Sequence, residues 1–118
     1  MGHKVTKETL DEATILDIRT RDEFCKGHVA RAIHVETPLP PLSSAQRQRL
    51  ARKLKALRLS KQHPPILVCC KKGIRAQVAK DILNSLGYKN VKNIGGKEKG
   101  AVKKVFESPD FSAYIRRC

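Results

Sequence analysis

The chain of 118 residues contains no tryptophan, one methionine and five aromatic residues, three Phe and two Tyr. So few rings argue against a surface built to stack bases. Acidic residues are also scarce: 11 Asp and Glu stand against 25 Lys and Arg, a formal net charge of +14. A positive field of that size attracts anions of every kind, from small oxyanions to an acidic protein or RNA, but no nucleic-acid recognition motif accompanies it. No apolar run reaches the roughly 18 residues that a membrane span needs. The opening "MGHKVTKETLDEA" lacks the apolar stretch of an export signal, so no membrane contact is expected and a cytoplasmic location is. Four cysteines, Cys25, Cys69, Cys70 and Cys118, are too few and too irregularly spaced for a small disulfide scaffold. In a reducing compartment they are expected as free thiols.

The length suits one domain over 1–118, built round a single core. Four short runs rich in β-branched residues, Thr14–Ile18, Ala32–Val35, Ile66–Cys70 and Val91–Ile94, read as buried strands. Between the second and third, Ser43 or Ser44 caps a helix on which Leu50, Leu54 and Leu57 step at helical spacing, leaving a basic outer face. After Cys70, the positions Ile74, Val78, Ile82 and Leu86, with Ala79 and Leu83 beside them, predict a second helix with a buried stripe. Gly87 followed by Tyr88 reads as its left-handed cap. The segment Pro38–Ser44 is a stiff connector, and the tail predicts a last short helix capped by Ser108 or Asp110. Strands alternating with helices predict an α/β fold, an open parallel sheet of about five strands with helices on both faces. Sites in such sheets form beyond the carboxyl ends of the strands.

One such end is "LVCCKKGIRA". A strand stops, a short loop turns, and a helix begins whose free backbone N–H groups point into the loop and favour an anion there. Lys71, Lys72 and Arg75 add positive charge, and Gly73 lets the backbone take a positive φ and approach a bound group closely. A thiolate at Cys70 is one anion such a loop stabilises, giving a nucleophile that needs no histidine base. Neighbouring strand residues point to opposite faces, so if Cys70 faces the loop, Cys69 faces packing.

Two separated stretches then resemble one family. "LDIRTRDEFCKGHVARAIHV" is similar to the opening signature of the rhodanese family, and "ILVCCKKGIRA" followed by "ILNSLGYKNVKNIGG" to its Cys-x-x-Gly-x-Arg loop, helix and next strand. The resemblance implies a sulfurtransferase with Cys70 as nucleophile and Lys71, Lys72, Gly73, Ile74 and Arg75 lining an anion pocket. By it, Cys70 takes sulfur from a donor such as thiosulfate, becomes a persulfide, and passes the sulfur to a thiol or cyanide. No cofactor or metal is called for. The sequence departs from the family pattern at "NIGGKEKG", which has neither the usual acidic residue before the paired glycines nor a tryptophan after them, and in its long basic insert at 37–63.

Other readings stand beside this one. Counted from Cys69, five residues lead to Arg75, the frame of a phosphatase or arsenate-reductase loop, though its glycine falls one place late. A sulfur-relay or regulatory binding module with little turnover, docking an acidic protein or RNA through its basic surface, is the alternative from another class. Asp17, Arg19 and Glu23 are expected to form an ion-paired scaffold rather than an acid–base pair. His28 is expected to be hydrogen-bonded and structural, with Cys25–His28 a weak candidate for zinc.

Overall fold

A computed structural model describes residues 4–118; residues 1–3, where the domain expected over 1–118 begins, lie outside the described residues. Helix α1 (Lys7–Glu12) starts at Thr6, whose side chain accepts from the Thr9 N–H. It leads into strand β1 (Thr14–Asp17). Helix α2 (Arg21–Cys25) opens with a capping box, in which Thr20 and Glu23 each satisfy the other's free N–H. Strands β2 (His28–Val29) and β3 (Ile33–His34) follow. Ser43 with Gln46 then makes a second capping box for helix α3 (Ser44–Ala56). The remaining order is strand β4 (Ile66–Cys70), helix α4 (Ile74–Ser85), strand β5 (Val91–Gly96), helix α5 (Lys103–Glu107), a 3₁₀ segment (Pro109–Tyr114) capped by Ser108, and strand β6 (Ile115–Arg116).

The four apolar runs form one parallel sheet in the order β3-β1-β4-β5. About five strands were expected of it and it has four; the further strands β2 and β6 pair antiparallel with each other instead. Each is two residues long, too short to carry a periodic signal. The sheet divides the core by the two-residue alternation of its strands. Ile66, Val68 and Cys70 pack with Leu16 against Leu50, Leu54, Ala79 and Leu83 of α3 and α4. Leu67 and Cys69 pack with Ile15 and Ile94 against Leu10, Val105 and Phe111 on the other side. A fully buried leucine contributes about 1.5–3 kcal/mol to such a core.

Helix α4 departs from the expected stripe. Ala76, Ala79 and Leu83 turn fully inward, Val78, Ile82 and Leu86 are half-buried, and Ile74 is 58% exposed. The reason is the helix start: Gly73, with φ of +93°, turns the chain so that Arg75 and Ala76 face inward and Ile74 faces out. The far end is as expected. Gly87 takes a φ of +99°, and the Gly87 and Tyr88 N–H groups donate to the carbonyls of Asn84 and Leu83 at 3.1 and 3.0 Å.

The cysteines correct a second expectation. Cys25 and Cys118 are joined as a disulfide, leaving Cys69 and Cys70 free. The bond fixes the tail beside α2, where the Cys118 N–H donates to the Cys25 carbonyl at 3.1 Å and Arg117 Nε to that of Lys26 at 3.2 Å. The partners are 93 positions apart, so only the antiparallel return of β6 along β2 brings them together. Closing so long a loop stabilises a fold by about 2–4 kcal/mol. No helix of the described residues is long and apolar enough to cross a membrane.

Candidate active site

Strand β4 delivers Cys70 to the carboxyl edge of the sheet, and the chain then turns through Lys71, Lys72 and Gly73 into α4. The Cys70 sulfur accepts from the Gly73 N–H at 3.0 Å and from the Ala76 N–H at 3.4 Å. Both donors belong to the start of the helix, where the backbone dipoles favour negative charge. Cys70 is only 1% exposed, yet it lines a cavity of about 300 Å³ together with Leu39, Pro40, Lys71, Lys72, Ile74 and Arg75. Five of the six residues expected at the site thus border one concavity, while Gly73 lines the adjoining one and donates its N–H to the Cys70 sulfur.

Arg75 borders the Cys70 cavity, and its charge is already paired within the protein. Its guanidinium is buried and bound at both ends by the carboxylate of Glu23, at 2.8 and 3.1 Å. An anionic partner was expected for a cation in the first turn of a helix, and a side chain of the protein supplies it. The pair ties α2 to the loop that follows Cys70. Burial alone would push the Glu23 carboxyl up, but hydrogen bonds from Arg75 and Thr20 outweigh it and bring it down to about 2, from 4.5. A group depressed in this way contributes stability above about pH 4.5 and loses it as pH falls toward about 2. Glu23→Gln is therefore expected to flatten the loss of stability across that window, measured as urea midpoints at a series of pH values. Parallel profiles for the variant and the parent would refute this account of the pair.

Lys71 meets Glu98 at 3.4 Å, with both side chains about half exposed, a contact of small energy. Lys72 is exposed at the rim. Asp17 and Arg19 form the expected scaffold at the end of β1: Arg19 Nε and Nη2 donate to the carboxylate at 2.9 and 2.8 Å, and Nη2 also donates to the Gly27 carbonyl at 2.6 Å. Burial works against the charge on Arg19, but the bonds and charge of Asp17 prevail and raise its pKa. His28 Nδ1 donates to the Phe24 carbonyl at 2.8 Å and His34 Nε2 to that of Arg19 at 2.9 Å. The Phe24 ring is stacked between the two imidazoles, 3.6 and 4.2 Å from their centres. Both histidines thus brace α2 against the strand ends.

Cys69 lies on the opposite face of the sheet, fully buried in the second core. Burial, with the nearby Asp17 carboxylate, pushes its thiol well above the ordinary range. A sulfur held protonated and away from the loop is no nucleophile, and the frame counted from Cys69 loses its centre.

Asn93 was not among the expected site residues. Its Nδ2 donates to the Gly73 carbonyl at 3.0 Å, while its Oδ1 accepts from the Gly95 N–H at 2.9 Å. The turn after β5 holds the other side of the loop: the Lys97 N–H donates to the Cys70 carbonyl at 3.2 Å and the Glu98 N–H to that of Lys71 at 2.9 Å. The pairing of β4 with β5 shifts between Val68–Asn93 and Cys70–Gly96, so β5 carries one extra residue there. Gly95, with φ of +80°, lies in that shift. The adjacent glycines of "NIGG" were the available signal for this support.

Comparison with known proteins agrees with the fold. The family model described as a rhodanese-like domain matches residues 3–100. The chain is 36% identical over 84 residues to Thiosulfate sulfurtransferase 18 of Arabidopsis thaliana, covering 69% of this chain and 60% of that protein. It is 32% identical over 93 residues to the Putative thiosulfate sulfurtransferase, mitochondrial, of Schizosaccharomyces pombe, covering 76% of this chain and 64% of that one. The chain thus spans somewhat under two thirds of each of these relatives. Among solved structures, a rhodanese-related protein from Thermoplasma volcanium superposes with a TM-score of 0.60 at 24% identity, covering 86% of this chain and 84% of that chain.

Proposed function

The chain belongs to the rhodanese-like domain family, and from that premise we propose that it is a sulfurtransferase, working as a single domain, in which Cys70 carries sulfur as a persulfide. The observation that carries this reading is the Cys70 sulfur, which receives two main-chain N–H groups at the floor of a cavity rimmed by Lys71 and Lys72. The ionised sulfur attacks the outer sulfur of a small anionic donor such as thiosulfate. An S–S bond forms to Cys70, the S–S bond of the donor breaks, and sulfite leaves with the electron pair. The loop amides hold the negative charge as it passes along the sulfur atoms. A thiolate or cyanide then attacks the outer sulfur of the persulfide, and the electron pair returns to Cys70. Both displacements balance without a cofactor.

The test is a thiosulfate:cyanide sulfurtransferase assay of the parent, Cys69→Ser and Cys70→Ser side by side, with mass spectrometry after thiosulfate alone. Cys70→Ser is expected to lose transfer at least about a thousandfold, as loss of a covalent nucleophile does, and to gain no mass. The other two proteins are expected to gain about 32 Da, one sulfur atom, on Cys70. Equal turnover by all three proteins would end the proposal.

A further inference from the structure

Two large hydrophobic residues stand exposed among the described residues: Leu39 at 62% and Ile74 at 58%. Single exposed apolar side chains are ordinary, but these two, with Pro40, border the same cavity as the Cys70 sulfur. A dianion as small as thiosulfate gains nothing from an apolar rim. Beyond Ile74 and Lys72 the surface continues into a second cavity of about 530 Å³, which those two residues share with Arg47, Lys99, Gln77 and Asn93. The concave surface thus extends well past what a small ion can fill. Of the five cations that line the two cavities, Arg75 is held by Glu23 and Lys71 meets Glu98, while Lys72, Arg47 and Lys99 share the surface with one lining carboxylate, Asp81.

We infer that this surface is a docking site for an acidic protein, which places a cysteine thiolate over Cys70 and an apolar side chain against Leu39 and Ile74. The inference rests on Cys70 being the persulfide carrier. The thiolate of the partner attacks the outer sulfur, the Cys70–sulfur bond breaks with its electron pair returning to Cys70, and the partner leaves as the persulfide. Charge selects the class of partner: with +14 on the chain, a second copy is repelled and an acidic surface is drawn in. The aromatic residues weigh against a single-stranded RNA. Phe24 is enclosed by two histidines, Tyr88 and Phe111 are buried, and Phe106 and Tyr114 pack against the core on the other face of the sheet. None of these rings borders the Cys70 cavity, so bases have nothing there to stack on.

The experiment uses synthetic peptides as probes: one with a cysteine flanked by leucine and glutamates, one with lysines in place of the glutamates, and a Ser-for-Cys version of each. Fluorescence anisotropy with the Ser versions reads docking apart from chemistry, and single-turnover transfer from thiosulfate-loaded protein reads delivery, with cyanide as the small acceptor. The acidic peptide is expected to bind at least about tenfold more tightly than the basic one, a margin that narrows with added salt. Leu39→Ser and Arg47→Glu are each expected to lower the ratio of peptide transfer to cyanide transfer by about tenfold. Equal binding of the acidic and basic peptides, or an unchanged ratio in both variants, would overturn the inference. So would a uridine oligomer that binds more tightly than the acidic peptide at the same salt. If Cys70 takes up no sulfur while the Ser peptide still docks with this selectivity, the catalytic reading fails and the docking surface stands.

Discussion

Gly96→Ala is expected to reduce sulfur transfer by about a hundredfold, the scale of a 1 Å misplacement of a reacting group, and to lower stability by about 1–3 kcal/mol. Gly96 pairs with Cys70 across the sheet, and a Cβ there would overlap the carbonyl group of Cys70 and the carbonyl carbon of Lys71. These are main-chain atoms, which no rotamer change removes. Because the carbonyl of Cys70 is also bonded to the Lys97 N–H, the strand end has to move as a unit, and the Gly73 and Ala76 N–H groups lose their aim at the sulfur. Activity should therefore fall further than stability does. Urea denaturation and the kcat/KM for thiosulfate check the two effects together. A variant with parental turnover would show that the close approach of β5 is not what places the Cys70 sulfur.

Arg19→Met is expected to cost about 3–5 kcal/mol, because it strands the fully buried carboxylate of Asp17 without its partner. The pair sits at the end of β1, and the Arg19 guanidinium also closes onto the Gly27 carbonyl. Asp17→Leu combined with Arg19→Met removes both charges, leaving neither to be buried alone. The double variant is expected to be more stable than Arg19→Met and to lose less than the two single changes added. Urea midpoints of the four proteins measure that coupling, and additive losses would mean that the two side chains act independently.

Legibility differed with the range of the interactions concerned. The four strands of the parallel sheet, the caps at Ser43, Gly87 and Ser108, and the opposed faces of Cys69 and Cys70 depend on neighbours a few positions apart, and each was readable from local pattern. Arg75 was half-readable: a cation at the start of α4 calls for an anion, but nothing local says that the anion is Glu23, 52 positions earlier. The roles of Asn93 and of the turn at Lys97 and Glu98 were hidden because they act through a neighbouring strand on main-chain groups of the loop. The exposure of Ile74 escaped the helical pattern because a stripe gives a period, while the direction in which it faces is set by how the helix is launched from Gly73.

The sequence by itself determined that this is an α/β chain with a cationic turn behind a cysteine at a strand end, since alternation, capping and backbone freedom are short-range properties. Only the tertiary structure decided that the arginine of that turn is held by Glu23, that glycine backbone presses on the loop from β5, and that Cys25 meets Cys118. Those pairings join residues far apart in the chain, and their partners are chosen by how the sheet orders its strands and where the tail returns.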